Sequence, residues 1–227
     1  MSVEPRKPAR LDPLAERILS ELSRDRAAAE IVLGGYLALQ HYSDYRRTHD
    51  IDAWWRRGPT PDAETAIREV MKRIAAEERS ELKERRFGET ISFELFRAGR
   101  KNFSFQIAAR SVELEPPLTS AWPPIGLETL NDNIGAKMNA LVDRGSPRDF
   151  ADIYHVAAAG LVNAAECWRL WERKNPGESI EPAKRKVLHH LTALATRRPL
   201  ESIANAAERR QAGQTRDWYR REFVKAI

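Results

Sequence analysis

The sequence has a single cysteine, Cys167, and no uninterrupted apolar run long enough to cross a membrane. One cysteine excludes an intrachain disulfide and is typical of a protein from a reducing compartment. The first fourteen residues contain three prolines and charges of both signs, whereas a secretory signal needs an apolar stretch. We therefore expect a cytoplasmic protein in which Cys167 is a buried, inert thiol.

Charge is unevenly distributed along the 227 residues. The net charge is +5 with the histidines neutral, and 31% of the residues are charged. Residues 169–227 contain fourteen Lys or Arg and seven Asp or Glu, so this segment carries +7 and the rest of the chain −2. Two interpretations stay open for the basic segment: a solvated helical surface, or a surface that contacts a phosphate backbone.

Hydrophobic periodicity divides the chain into an α+β half and a helical half. In the first half, helices are predicted over residues 13–29 and 61–82, and about four strands over 31–33, 50–54, 90–96 and 101–109. Pro116-Pro117 and Pro123-Pro124 bracket a segment that we interpret as a linker, because proline favours extended backbone. Beyond it, helices are predicted over residues 127–142, 147–159, 164–173, 180–195, 200–212 and 218–225. We therefore predict an α+β fold with two domains: 1–115, a small mixed sheet with flanking helices, and 125–227, a helical domain.

Two glycines and two aspartates in the first half follow one another in an order that suits phosphate and metal binding. Gly34-Gly35 ends a predicted strand and precedes a helical pattern, and adjacent glycines leave backbone N–H groups open to a phosphate. Asp50 and Asp52 alternate with apolar residues, so on a strand both carboxylates point to one face. Two converging carboxylates need a cation between them, and an oxygen-only site favours Mg²⁺. Taken singly, Gly34-Gly35 also suits a simple turn, and the aspartates also suit a solvated strand edge.

A second group of charged residues lies in the helical half. Its pattern is Lys-x-x-Ala-Leu-x-x-Arg-x-x-x-Arg-Asp-x-x-Asp, from Lys137 to Asp152. Ser146-Pro147 is a helix start signal, and Asp149 three residues after the serine is either its capping partner or a residue with a direct chemical role. Asp152, one turn further, is either a salt-bridge partner of Arg148 or a chemical group.

Together the two motifs resemble those of the AbiEii/AbiGii toxin family, within the DNA-polymerase-beta-like nucleotidyltransferase superfamily. The first family motif reads Gly-Gly, a small hydroxyl residue, Ala-Leu, then Arg-x-Ser/Thr-x-Asp-φ-Asp, where φ is apolar. The second is the pattern that begins at Lys137, which matches at every position. The resemblance implies a nucleotidyltransferase-like fold, with metal binding on Asp50 and Asp52 and catalysis on these two residues together with Lys137 and Asp152. The nucleotide-binding residues that it implies are Gly34, Gly35, Lys137, Arg148 and Asp149.

Two positions depart from the family pattern. Tyr36 stands where a serine or threonine is usual, so a hydroxyl contact to phosphate is not expected from the resemblance at this position. Gln106 stands where many relatives place a third carboxylate, and Glu94 on the preceding predicted strand is the alternative acid.

The resemblance implies an enzyme that uses Mg²⁺ to transfer a nucleoside monophosphate from an NTP to an acceptor, with release of pyrophosphate. RNA, and tRNA in particular, is the expected acceptor, and the expected setting is a toxin–antitoxin or phage-defence system with a cognate antitoxin. The four catalytic side chains are then expected to meet around one cation. Two alternatives stay open: the acceptor is a protein or a small molecule, or the chain is a degenerate family member that only binds nucleotide.

Overall fold

The computed structural model describes residues 3–110 and 112–226, and it shows an α+β protein that divides into two compact units. The first unit is Met1–Asn133 and the second is Ile134–Ile227. The strands of the described residues all belong to the first unit, while the second is helical. The predicted fold class, a mixed sheet with flanking helices followed by helices, is confirmed.

One mixed sheet with seven strands among the described residues carries the first unit. The strands are β1 Ile31–Leu33, β2 Asp50–Trp55, β3 Glu81–Phe87, β4 Thr90–Arg97, β5 Arg100–Ala108, β6 Leu118–Thr119 and β7 Gly126–Leu127. They lie side by side in the order β3-β4-β5-β2-β1-β7-β6. β2 is antiparallel to β1 and parallel to β5, so it lies in the middle of the sheet with a hydrogen-bonded neighbour on each side.

Two amphipathic helices of the first unit pack their apolar sides against one face of this sheet. α1 (Pro13–Leu22) and α3 (Pro61–Glu77) both begin with a proline after a capping side chain, Asp12 and Thr60 respectively. The shared core includes Ile18, Leu22, Ile67, Met71, Phe93 and Phe105. Since β2 and β4 alternate buried and partly exposed residues, their polar side chains project from the other face.

The first unit contains a 3-10 turn and a strand that the sequence-based prediction missed. α1 ends at Leu22 rather than at residue 29, because Asp25 caps a new 3-10 turn, Arg26–Glu30. α3 ends at Glu77 rather than at residue 82, and strand β3 follows it. β3 lies at an edge of the sheet, and its seven residues are all at least partly exposed, so it has no apolar alternation to reveal it.

The segment that we predicted as a linker contributes to the sheet of the first unit. β7 pairs with β1 in parallel, and β6 pairs with β7. The compact units therefore divide after Asn133, further along the chain than the predicted boundary between residues 115 and 125.

Helices build the second unit, and the division between the units falls inside the first of them. The helices are α4 Leu130–Asp143, α5 Pro147–Ala158, α6 Ala164–Lys174, α7 Ile180–Arg197 and α8 Ala206–Arg221. α5 and α6 each begin with a capping box, formed by Ser146 with Asp149 and by Asn163 with Glu166. The buried aromatic side chains of this unit include Phe150, Trp168, Tyr219 and Phe223.

The predicted helices over 147–159, 164–173 and 180–195 are confirmed to within two residues. α8 begins later than predicted, because Leu200–Ser202 forms a separate 3-10 turn and Asn205 then caps the helix. Within the described part of the chain, no helix combines the length and apolar character that a membrane crossing requires.

Candidate active site

Asp50 and Asp52 lie on β2, where partly exposed residues alternate with buried ones. The alternate residues of the strand are in the core, so both carboxylates project from the polar face of the sheet. Just before the strand, the Thr48 hydroxyl donates a hydrogen bond to the Asp50 carboxylate. The predicted strand and the shared face of the two acids are confirmed, while their role as metal ligands stays a prediction.

Gly34 and Gly35 connect β1 to the short helix α2 (Gly35–Gln40), and both lie against side chains of β2. Gly35 has a φ of +57°, and a Cβ placed on it would lie 2.6 Å from Cβ of Asp52. A Cβ on Gly34 would lie 2.8 Å from Cε2 of Trp54. The Gly34 N–H donates to the backbone carbonyl of Asp52 at 2.9 Å, which holds the turn on the strand. Glycine is therefore required at both positions, and the structure brings the predicted phosphate turn directly against Asp52.

Tyr36, the first departure from the family pattern, uses its hydroxyl to hold the loop that leads to β2. The side chain is buried, and its oxygen accepts from the Arg46 N–H at 2.8 Å and donates to the Arg46 carbonyl at 3.0 Å. The Arg46 guanidinium lies over the Tyr36 ring, 3.4 Å from its centre. Tyr36 thus fixes the backbone two residues before Thr48, which in turn contacts Asp50.

Gln106, the second departure, lies on β5 directly beside Asp52 in the parallel register. Its side chain is exposed. Across residues 3–110 and 112–226, no group of three or more His, Cys, Asp or Glu side chains is arranged to hold a metal ion. Gln106 therefore places a neutral side chain, and not a third acid, beside Asp52.

Glu94 is the alternative third acid, and its position disfavours that role. On β4 it lies opposite Ser104, which itself lies beside Asp50, so two strand spacings of about 4.8 Å separate it from β2. Its carboxylate lies 3.2 Å from Nζ of Lys101 and 3.5 Å from Nε of Arg85. These cations neutralise Glu94 at the outer part of the sheet.

Asn133 supports the glycine turn from α4, a role that the sequence-based reasoning missed. Its side chain is fully buried, and Nδ2 donates to the Gly35 carbonyl at 2.9 Å and to Oε2 of Glu128 at 2.9 Å. The Glu128 N–H in turn donates to the carbonyl of Leu33 at 3.0 Å. An asparagine at a buried helical position was the one available signal, because such a group needs internal partners.

Lys137 and Asp152, predicted as catalytic residues, meet within the second unit. Nζ of Lys137 on α4 lies 2.7 Å from Oδ2 of Asp152 on α5. The side chains are 11% and 1% exposed, respectively. The buried carboxylate next to the ammonium fixes the position of the amine.

Asp149 is the capping partner of Ser146, as its spacing of three residues predicted. It completes the capping box of α5, and its two oxygens accept from Nε and Nη2 of Arg144, both at 2.9 Å. Burial opposes ionisation of this carboxyl, but the hydrogen bonds from Arg144 and Ser146 outweigh it, so the pKa of Asp149 is held below its usual value. Arg148 is exposed at the start of the same helix. Direct contacts of Asp149 and Arg148 with a nucleotide stay predictions.

Comparison with known protein families matches residues 17–222 to AbiEii, described as a nucleotidyl transferase toxin of a type IV toxin–antitoxin system. The chain belongs to the AbiEii family. AbiEii proteins are nucleotidyltransferase toxins, so membership assigns this chain to the transferases and implies a cognate antitoxin. No curated individual protein matches the chain.

The AbiEii match includes every residue of both motifs, from Gly34 to Asp152. The family resemblance read from the sequence is therefore confirmed. In this AbiEii protein the glycine turn and the aspartate pair belong to the first unit, and the pair of Lys137 and Asp152 belongs to the second.

Proposed function

We propose that this AbiEii-family protein transfers a nucleoside monophosphate from an NTP to a hydroxyl group of RNA, with tRNA as the first acceptor to test. The observation that carries the proposal is the packing of Gly35 against Asp52. A turn that binds phosphates and a carboxylate that binds a cation must adjoin if one Mg²⁺–NTP complex is to contact both. The family match supports the reaction class and the antitoxin partner.

The oxygen ligands on β2 suit Mg²⁺. This ion is commonly bound through one or two carboxylates, with water and substrate phosphates completing its shell, and Asp50 and Asp52 supply two carboxylates on one face. When bound, the ion would neutralise the negative charge that the phosphates carry and that builds on the transferred group.

Other residues would bind the phosphates and accept the proton of the acceptor hydroxyl. Gly35 is the better candidate for phosphate contact, because the N–H of Gly34 is already bonded to the carbonyl of Asp52. Lys137 would bind the phosphates that leave, as a positive charge held in place by Asp152. Asp152 is also the residue that the family pattern suggests as base for the acceptor hydroxyl. In the transfer, the acceptor oxygen bonds to the α-phosphorus, its proton passes to the base, and the bond to pyrophosphate breaks.

Transfer of radiolabel from [α-³²P]NTPs to total tRNA tests the proposal. Each of the four NTPs is incubated with protein, Mg²⁺ and tRNA, and labelled RNA is resolved on a gel. We expect one or more NTPs to label RNA, and Asp52→Asn to lower the rate by about a hundredfold or more, the scale for losing one electrostatic stabiliser. Glu69→Gln is the matched control, because this carboxylate is 59% exposed on α3. Undiminished labelling by Asp52→Asn would remove the assignment.

A nucleotide-binding protein without transfer activity is the second candidate, and the neutral Gln106 beside Asp52 favours it. Calorimetry with Mg²⁺ and each NTP separates the two. Binding without transfer to RNA, protein or small hydroxyl compounds supports this candidate, and transfer to any of them rejects it. Transfer to protein or a small molecule but not to RNA keeps the enzyme class and changes the acceptor.

A further inference from the structure

A stretch of the second unit carries positive charge without any acid. Between Glu181 and Glu201 the sequence has no Asp or Glu, but it has Lys184, Arg185, Lys186, Arg197 and Arg198. Lys184 is buried, and its Nζ lies 3.2 Å from Oε1 of Glu181. The other four side chains are exposed, and no ion pair reaches them from the residues that the structure describes. Their charge is therefore open to a ligand.

Three of these cations lie along the exposed side of α7. The buried residues on the other side of this helix are Ala183, Lys184, Val187 and Leu191. Arg185 and Arg197 are twelve positions apart, which corresponds to about 18 Å at 1.5 Å per residue, and Lys186 lies beside the first of them. Thr192 and Thr196, exposed between the two ends, are uncharged. The exposed side of α7 is thus a strip that carries positive charge at both ends and no acid between them.

At the end of α7 the strip meets further arginines. The guanidinium of Arg216, on α8, is largely buried and donates a hydrogen bond at 2.5 Å to the backbone carbonyl of Arg198. Burial lowers the pKa of Arg216, and the charges of Arg220 and Arg198 lower it further. Arg198 and Arg220 have exposed side chains. Like charges this close repel, and a bound anion would relieve the repulsion.

We infer that this cationic strip, defined by Arg185, Lys186, Arg197, Arg198 and Arg220, binds the phosphate backbone of RNA. The inference rests on the proposed function in that the RNA is the acceptor. A stacked strand carries one phosphate per about 3.4 Å, so 18 Å of helix runs beside about five phosphates. Guanidinium groups bind phosphate oxygens with two parallel hydrogen bonds, and four of the five strip residues are arginines.

The composition of the strip favours nucleic acid over a lipid surface. An interfacial helix needs a broad apolar side for the membrane, but the apolar side of α7 is buried within the second unit. The one large apolar side chain of α7 that is exposed is Leu188, at 37%. An acidic protein segment is the competing partner, and the experiment distinguishes it.

RNA binding by the full-length protein, without NTP, tests the inference. Fluorescence anisotropy with labelled tRNA is measured from 50 to 300 mM NaCl for the wild type and for the variant Arg185→Gln/Lys186→Gln/Arg197→Gln. Each lost phosphate contact lowers the slope of log K against log salt by about 0.7 on a single strand. We expect the slope to fall by about 2 and the Kd at 0.1 M salt to rise about a hundredfold. Arg216 is left unchanged, because its hydrogen bond to the Arg198 carbonyl supports the fold.

The matched control removes the same charge from the first unit. Arg24, Arg57 and Lys72 are exposed there, and their replacement by glutamine should leave the slope unchanged. An equal loss in both variants, no loss in the strip variant, or no RNA binding by the wild type would overturn the inference. The inference would also be overturned if the strip variant lost binding to poly-glutamate but not to RNA. Binding is measured without NTP, so the assay tests RNA binding separately from nucleotide transfer, and Asp52→Asn should bind RNA like the wild type.

Discussion

Replacing Lys137 by methionine should destabilise the protein, because the buried Asp152 carboxylate would lose the ammonium group that lies against it. The two side chains are 11% and 1% exposed, and Nζ of Lys137 lies 2.7 Å from Oδ2 of Asp152. Breaking such a pair by removing one charge costs about 3–5 kcal/mol, whereas replacing both charges by apolar groups is often neutral. The geometry therefore predicts opposite consequences for a single and a double replacement.

The expected change in the free energy of unfolding depends on which of the two charged groups each variant retains. Lys137→Met should lower the free energy of unfolding by about 3 kcal/mol, at the lower end because the lysine side of the pair is partly exposed. Asp152→Asn should lower it by about 1–2 kcal/mol, since the amide oxygen still accepts a hydrogen bond from the ammonium. The double variant Lys137→Met/Asp152→Leu should be about 2 kcal/mol more stable than Lys137→Met alone. All three variants should be inactive in nucleotide transfer.

Urea unfolding followed by circular dichroism measures these differences. Since the chain divides into two compact units, unfolding in two steps is possible, and the transition that shifts in Lys137→Met then identifies the second unit. Lys186→Met is the control, an exposed lysine on α7 whose replacement should change stability by less than about 0.5 kcal/mol. Wild-type stability of Lys137→Met, or a double variant less stable than this single one, would refute the reasoning.

Gly35→Ala should lower the melting temperature of the protein by more than Gly88→Ala. Both glycines have a φ of +57°, but a Cβ on Gly35 would collide with Asp52, whereas no atom lies within 4 Å of a Cβ on Gly88. Similar melting temperatures for the two variants would contradict that contact. The folded-state pKa of Asp149 is depressed, so its stabilisation is present above the unfolded value of about 4 and is lost as pH falls through the folded value. The difference in free energy of unfolding between the wild type and Asp149→Asn should therefore become smaller at acid pH. A difference that does not change with pH would contradict the lowered pKa of Asp149. Burial raises the pKa of Cys167 to about 12, so a thiol reagent should label it slowly in the native protein and rapidly in urea.

The parts of the site that the sequence predicted correctly depend on local rules. Alternation of polar and apolar residues identified β2, because one face of that strand is buried and the other is not. A serine before a proline, with an aspartate three residues on, identified the start of α5, since a capping box involves only neighbouring residues. These signals need no knowledge of how distant segments meet.

The parts that were missed depend on distant contacts or on exposure. β3 has no alternating pattern because an exposed edge strand has no buried face. α3 ends at Glu77, and Arg79 just beyond it has a φ of +51°, which leaves the helical region without a glycine to signal it. Asn133 was missed because its partners, Gly35 and Glu128, are defined by folding and not by spacing. Such a residue becomes visible only when the hydrogen bonds of a buried side chain are traced.

The two departures from the family pattern carry different weight for the choice between enzyme and binding protein. The Tyr36 hydroxyl is bonded to both backbone groups of Arg46, so this residue has exchanged a possible ligand contact for a structural one, and Gly35 is unaffected. Gln106 removes a negative charge directly beside Asp52. Two carboxylates balance the charge of one Mg²⁺, and a second ion would depend on the charge that the triphosphate itself brings. The argument that the chain only binds nucleotide therefore rests on Gln106 alone. Gln106→Glu should strengthen Mg²⁺ binding in calorimetry whether the protein is an enzyme or a binding protein. It should raise the rate of nucleotide transfer only if the protein is an enzyme.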